Sequence, residues 1–274
     1  MALRARTNVA LALPGVLLLA LFFALPVLSI AVDALADGGA AFARVFATAG
    51  FWSALAGSGV LTLVAATLST AVGVAVALHL SRLSPRRRTV LSFVIALPLT
   101  FSGLIVAYGF ILGYGRAGFV TQLLARAGLD AATIGGALFT PTGLAFASSY
   151  YLIPRVVIGM LPVLVNFDRA QLAAAESLGA TKAQAFRQVL LPQVAAPVVA
   201  SFCLVAAVVF GAYGTALALV GTQLPILPLR LYSLISETGS DFPAAAALAL
   251  LITAVCSTII TTGEWVGAKH ERHL

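Results

Sequence analysis

Charged residues are scarce in this sequence. Only 9% of its 274 residues are Asp, Glu, Lys or Arg, whereas a soluble domain carries roughly 25%. Hydrophobic residues make up 61% of the chain. So few charges cannot cover the surface of a water-soluble domain of this length, and the composition therefore indicates a protein whose solvent is the lipid bilayer.

Residues for several kinds of chemistry are also missing. The two cysteines, Cys203 and Cys256, each lie within an apolar run, and we interpret both as buried apolar side chains. The chain contains no Gly-x-x-x-x-Gly-Lys-Ser/Thr loop for binding nucleotide phosphates. We expect no catalytic residue, no metal site and no bound cofactor. The net charge of +7 is dispersed in short clusters between apolar runs, a pattern typical of membrane proteins rather than nucleic-acid-binding proteins.

Long uncharged runs fill most of the chain instead. A helix needs about 20 residues to cross the hydrocarbon core. The fifth uncharged run is too long for one helix, and Pro225 and Pro228 interrupt its far end. The sequence predicts an all-α membrane protein with about six transmembrane helices in a single domain, residues 1–274. The predicted spans are residues 9–32, 52–80, 89–113, 137–162, 194–220 and 243–265.

Lys and Arg are distributed unequally between the two sides of these spans. If both termini are cytoplasmic, twelve of the basic residues lie inside and four lie outside, as the positive-inside rule requires. The inside set is Arg4, Arg6, Arg82, Arg86, Arg87, Arg88, Arg155, Arg169, Lys182, Arg187, Lys269 and Arg272. The outside set is Arg44, Arg116, Arg126 and Arg230. We therefore predict a multi-pass protein with cytoplasmic termini.

One cytoplasmic segment, residues 168–192, is more than a simple turn, and we name it the elbow. Asp168 is a candidate N-cap with Gln171 at the spacing of a capping box. Gly179 fits the C′ position that ends a helix, and Thr181 begins a second helix with Gln184 at the matching position. This helix–Gly–helix pattern indicates either a docking surface for another protein or a connector that lies on the membrane.

The elbow resembles the cytoplasmic signature of the permeases of type I ABC importers. That signature is Glu-Ala-Ala, three residues, Gly, nine residues, a β-branched aliphatic residue, one residue, then Leu-Pro. The positions that match are Ala174, Ala175, Gly179, Val189, Leu191 and Pro192. Ala173 replaces the family's Glu, and Glu176, one helical turn later, is a candidate substitute.

The resemblance implies a type I ABC importer permease fold with a coupling-helix elbow between helices 4 and 5. It further implies two ATPase subunits that bind ATP and Mg²⁺, a second permease subunit of different sequence, and an extracytoplasmic solute-binding protein. The location implied is the bacterial inner membrane, and the chain itself is not an enzyme. The residues expected to contact the ATPase are Ala173, Ala174, Ala175, Glu176, Gly179, Ala180, Lys182, Val189, Leu191 and Pro192.

Two further stretches resemble the polyamine-type permeases. One is Leu13-Pro14-Gly15 in the first predicted span, and the other is Phe210-Gly211-Ala212-Tyr213-Gly214-Thr215. The resemblance implies a small polar solute such as a polyamine, while permeases for iron, thiamine, sulfate and phosphonate share parts of these motifs. An ion-gradient-driven secondary transporter is the alternative class. It would normally show an intramembrane ionisable group and inverted repeats, and we recognise neither.

The solute path has a weaker signature than the elbow. Its candidate lining residues are Tyr108, Tyr150, Tyr151 and Tyr213, although tyrosine is also a common interfacial anchor. We interpret Arg155 as a residue that reaches a helix end, with a role in gating as the alternative. The outer acids Glu237 and Asp241 either lie in a solvated loop or face the binding protein or a cationic solute.

Overall fold

The computed structural model describes residues 13–236 and 241–271, and the regular elements in those ranges are all helices. Six stretches are long and apolar enough to cross a membrane, which confirms the predicted number and fold class. They are Leu13–Leu35, Ala49–Ser81, Gly103–Arg126, Pro141–Asn166, Lys182–Phe210 and Phe242–Gly267. The start of the first predicted span, residues 9–12, lies outside the described ranges.

We number the helices in chain order. They are α1 (Leu13–Leu35), α2 (Ala40–Ala47), α3 (Ala49–Ser81), α4 (Pro85–Ala96), α5 (Gly103–Tyr114), α6 (Phe119–Arg126), α7 (Ala131–Ala137), α8 (Pro141–Asn166), α9 (Ala170–Ser177), α10 (Lys182–Phe210), α11 (Gly214–Val220), α12 (Leu227–Ser236) and α13 (Phe242–Glu271). Two of them contain a π-helical turn, at Ala20–Ala24 in α1 and at Phe186–Leu190 in α10.

Small side chains allow α3 and α8 to approach each other closely. An added Cβ at Gly73 of α3 would lie 2.6 Å from Cβ of Val156 in α8, which is closer than two carbon atoms can pack. In the same contact, Ser69 Oγ donates to Ser149 Oγ at 3.4 Å. Close approach through small residues is a usual way for membrane helices to associate. It places α8 inside the bundle, where Val156 is completely buried.

The third predicted span is wrong as a single helix. Instead of one helix over residues 89–113, α4 ends at Ala96 and a 3₁₀ turn follows at Leu97–Thr100. Pro98 cannot donate a backbone hydrogen bond there, and Phe101 has an extended backbone. Ser102 then caps a new helix, because its Oγ accepts the Ile105 N–H at 3.4 Å.

The fifth predicted span, residues 194–220, is also interrupted. The helix α10 begins in the elbow and ends at Phe210, and α11 starts only at Gly214. Pro192 was expected at a junction between the elbow and this span, yet the helix continues through it. The π turn at Phe186–Leu190 shifts the local bonding so that Leu191 N–H donates to Phe186 O. With this bonding pattern the helix tolerates the missing backbone N–H of Pro192.

An ion cluster lies at the end of the bundle opposite the elbow. It joins the N-terminal part of the chain to the start of the last helix. Arg44 of α2 bonds to Asp37 at 2.7 Å and to Asp241, just before α13, at 2.8 Å. The guanidinium lowers the pKa of both carboxyl groups below their usual range. Asp241, expected as an outer acid, is thus engaged in a structural contact, and Glu237 lies outside the described residues.

The cluster should make stability depend on acid pH. Both folded-state pKa values are depressed from the ordinary 3.8, so the stabilisation is present above that value and is lost as the pH falls through the lower folded-state values. At pH 7 we expect Asp241→Asn to lower Tm by at most a few degrees, because the pair is exposed. The difference from the parent protein should shrink as the pH falls below 3.8 and vanish once both carboxyl groups are protonated.

Thermal unfolding of the detergent-solubilised protein, followed from pH 7 downward, measures this effect. Asp33→Asn is the matched control, since Asp33 forms no ion pair among the described residues. A difference between Asp241→Asn and the parent that stays unchanged at the acid end of the series would contradict the assignment.

Candidate functional site: the elbow and the central cavity

The elbow begins at Asp168, but not through the predicted capping box. Asp168 Oδ1 accepts the Ala170 N–H at 2.9 Å, which satisfies one amide at the start of α9. The Gln171 side chain was expected to return to Asp168. Its Oε1 instead accepts from Gln193 Nε2 at 2.6 Å, and this bond joins α9 to α10.

Gly179 ends α9 in the conformation that its position predicted. Its φ is +93°, in the left-handed region where glycine has no steric penalty. The Ala180 N–H donates to Ala175 O at 3.1 Å and the Gly179 N–H donates to Glu176 O at 3.0 Å. These two bonds form a Schellman motif, so the turn at the centre of the elbow has a defined shape.

The second half of the elbow has a complete capping box, as predicted. Thr181 Oγ1 accepts the Gln184 N–H at 3.3 Å, and Gln184 Oε1 accepts the Thr181 N–H at 2.8 Å. Two amides at the start of α10 are therefore satisfied reciprocally. Because α10 continues to Phe210, the turn at Gly179 is connected to the membrane interior by one helix of about 43 Å.

Several contacts attach the elbow to the rest of the bundle. Arg169 Nη2 donates to the carbonyl oxygen of Ser81 at 3.2 Å, at the end of α3. Leu172 is half-buried against the main apolar core. It borders a cavity of about 240 Å³ whose apolar lining residues are Leu78, Leu164, Phe167, Leu172 and Leu190. The elbow is thus held by α3, α8 and α10 together.

Most predicted docking residues lie on the outside of the elbow. Exposed residues of the set are Ala173, Ala174, Glu176, Gly179, Lys182, Leu191 and Pro192, and half-buried ones are Ala175, Ala180 and Val189. The carboxylate of Glu176 has no hydrogen bond or ion pair within the described ranges. It is therefore available to a partner near the position where Ala173 replaces the family's acid.

Leu178 is the residue that sequence reasoning missed. Its side chain is 90% exposed at the tip of the elbow, whereas an isolated leucine in an amphipathic helix would be expected to face the core. The signal was present, because Leu178-Gly179-Ala180 resembles the family's sequence at this position. A large apolar side chain exposed at the tip of the elbow would be stabilised if a partner protein buried it.

A second candidate site lies where the two interrupted helices meet. A cavity of about 340 Å³, which we name the central cavity, is bordered by the break before α5 and by the break between α10 and α11. The two helix starts touch there, because an added Cβ at Gly103 would lie 2.4 Å from Thr215 Oγ1. Irregular backbone at membrane depth occurs where it is buried in protein or lines a cavity, and broken helices commonly form transport sites.

Two of the four candidate tyrosines line this cavity. Tyr151 is buried beside it, and Tyr213 borders it with its ring centroid 5.6 Å from that of Tyr232. Tyr150 instead packs on Phe110, with ring centroids 5.8 Å apart. Tyr108 is 56% exposed, and neither it nor Tyr150 borders the cavity. The structure therefore brings together only half of that set.

Arg155 also lines the cavity, and the interpretation as a helix-end residue is wrong. It lies eleven residues before the end of α8 at Asn166 and fourteen after the start at Pro141, so roughly 16 Å of helix separates it from the nearer end. Its Nη1 donates to Tyr151 O at 3.0 Å, and its guanidinium carbon is 5.6 Å from the Tyr151 ring centroid. An arginine at this depth costs about 2.5–3.5 kcal/mol on insertion scales.

The overall arrangement of helices is that of an ABC transporter permease. A crystal structure of a bacterial alginate ABC transporter, in complex with a periplasmic protein bound to an alginate pentasaccharide, includes a chain with a similar fold. The TM-score is 0.76 with 18% sequence identity, and the match covers 95% of this chain and 93% of that one.

Sequence comparison gives the family. The model of binding-protein-dependent transport system inner membrane components matches residues 69–268, and the chain belongs to this family. It is therefore a permease subunit of an ABC importer, a class in which ATPase activity lies in a partner.

Two relatives illustrate the range of named solutes. Sulfate permease 2, chloroplastic, of Chlamydomonas reinhardtii is 30% identical over 233 residues, which cover 84% of this chain but only 61% of that protein. The spermidine/putrescine transport system permease protein PotB of Haemophilus influenzae is 26% identical over 211 residues, covering 76% of this chain and 71% of PotB.

Proposed function

We propose that this permease forms the membrane path for a small polar solute and is driven through its elbow by a separate ATPase. The complex would contain two ATPase subunits that bind ATP and Mg²⁺, a second permease of different sequence, and an external solute-binding protein. The observation that carries this proposal is the exposed, doubly capped elbow with Leu178 at its tip. A secondary transporter has no ATPase to contact such a surface, whereas a connector that lies on the membrane would bury Leu178 in lipid; the binding measurement below separates these two interpretations.

The contacts of the elbow indicate how force would reach the path. Docking on an ATPase would move the turn at Gly179, and α10 would move with it because no break separates them. The other end of α10 borders the central cavity at Val208. Closure of the ATPase pair would therefore change the shape of the cavity by tilting one continuous helix, in a rigid-body form of alternating access.

The proposed orientation places the elbow and both termini in the cytoplasm of a bacterial cell, with α2 and the Arg44 cluster outside. The unequal distribution of Lys and Arg supports this orientation. As for the solute, the names of the relatives include sulfate and polyamines. Both are small and polar, as expected from the sequence, and they differ in the sign of their charge.

Leu178→Ala tests the docking proposal. Burying a leucine at an interface stabilises it by about 1.5–3 kcal/mol, so the variant should bind the purified ATPase at least tenfold more weakly. Binding is measured by surface plasmon resonance with the permease pair in nanodiscs. The Tm of the permease should not change, because Leu178 is 90% exposed.

The matched control is Leu129→Ala. Leu129 is 51% exposed and lies between α6 and α7, away from the elbow, so its loss should leave ATPase affinity unchanged. Equal affinities for the two variants would sink the proposal that the elbow tip is the docking surface.

A further inference from the structure

The central cavity contains one positive charge and no negative one. Arg155 is the one charged residue among those that line the cavity, which include no Asp, Glu or Lys. Within residues 13–236 and 241–271, Arg155 forms no ion pair, and its side chain forms one hydrogen bond, through Nη1. A guanidinium has five N–H groups, so most of its donors have no acceptor among the described residues.

Thr215 and the start of α5 supply further hydrogen-bond donors to the cavity lining. Thr215 is only 2% exposed, and its hydroxyl has no hydrogen-bond partner in the described part of the chain. Gly103 and Leu104 begin α5, where the first amides of a helix have no intrahelical acceptor. Ser102 satisfies the Ile105 N–H rather than theirs. All four residues, Arg155, Thr215, Gly103 and Leu104, line the same cavity.

This arrangement selects the charge of a ligand. A polyamine offers only positive charges and N–H donors, and it would need carboxylates, which the lining residues of this chain do not include. An oxyanion offers a negative charge and several acceptors, and both a guanidinium and helix N-terminal amides are suited to it. The partial positive charge at the start of α5 adds to that of Arg155.

We propose that the cavity binds a small oxyanion and that this anion is the transported solute. The inference rests on the proposed importer function and replaces the polyamine expected from the sequence. A water occupies about 30 Å³, so a cavity of about 340 Å³ accommodates a tetrahedral oxyanion with part of its hydration shell. Arg155 and Thr215 hold the anion, while the amides of α5 fix its position.

The test uses the assembled permease–ATPase complex in nanodiscs, without the binding protein. Binding of radiolabelled sulfate, phosphate and spermidine is measured by scintillation proximity. We expect the parent complex to bind at least one of the two oxyanions and not spermidine. Arg155→Gln should weaken oxyanion binding at least tenfold, whereas Arg155→Lys retains the charge and should weaken it about threefold or less. Arg126→Gln, which removes an exposed arginine outside the cavity, should have no effect.

Three results overturn the inference: the parent complex binds neither oxyanion, Arg155→Gln binds them as tightly as the parent, or the parent complex binds spermidine. Stimulation of ATP hydrolysis by the liganded binding protein is measured in parallel. If stimulation is seen without oxyanion binding, only the identity of the solute is wrong. If the parent complex shows no stimulation, the proposed importer function itself fails.

Discussion

Gly179→Val is expected to reduce ATP-dependent uptake at least tenfold while the permease still inserts and assembles. At φ +93° most L-residues are strained by about 1–2 kcal/mol, and a β-branched residue by more. An added Cβ meets no atom of this chain within 4 Å, so the cost arises from the backbone and not from a clash. We expect the variant to relieve this backbone strain by opening the Schellman turn, which displaces Leu178 and the start of α10.

Uptake and ATP hydrolysis in proteoliposomes measure this loss of coupling. Gly179→Asn is the control, because asparagine tolerates the left-handed region and should retain most uptake. Gly179→Asp should resemble the valine variant, since it adds a charge to the surface proposed to contact the ATPase. Transport by Gly179→Val at the parent rate would show that the shape of the elbow is not required.

Gly57→Ala is expected to destabilise the half of the bundle opposite the elbow. Its Cβ would lie 2.0 Å from the backbone oxygen of Pro225, in the irregular segment between α11 and α12. A backbone atom cannot rotate away as a side chain can, and overpacking of this kind costs about 1–3 kcal/mol. The same segment is fixed by the adjacent Ser58, whose Oγ accepts the Leu227 N–H at 2.9 Å. We expect Tm to fall by several degrees.

Gly59→Ala provides the matched control two residues along α3. Its added Cβ meets nothing within 4 Å, so the same chemical change should leave Tm unchanged or raise it slightly, because alanine has the higher helix propensity. Thermal unfolding in detergent compares the two variants directly. Equal Tm values would mean that the segment at Pro225 does not pack on α3 as described.

Local features of the elbow were predictable because neighbouring residues determine them. A glycine at C′ and the Thr181–Gln184 capping box depend on spacings of three or four residues, and both are present. Asp168 and Gln171 have the same spacing but no reciprocal bond. Gln193 lies across the elbow, and its amide competes successfully for Gln171. A contact of this kind depends on tertiary structure, which a local pattern cannot contain.

The breaks near the cavity were not predictable for a similar reason. Residues 89–113 are uncharged and mostly apolar, and a proline within a membrane helix usually produces only a kink. Pro98 marks a true interruption because the start of α5 packs against α11, with Gly103 next to Thr215. The sequence-based interpretation placed Arg155 at a helix end because the cavity cannot be inferred from local sequence. Once the breaks create a polar space, an arginine becomes possible in the middle of α8.

The π turn at Phe186–Leu190 sets the rotational phase of α10. A π turn contains one residue more than the α-helical turn it replaces, and one residue corresponds to about 100° of rotation around the axis. The face presented by the first residues of α10, near Lys182, is therefore offset from the face that buries Leu190 and Val194. Substitutions on one side of the turn can then adapt the elbow to an ATPase while the membrane packing on the other side keeps its own pattern.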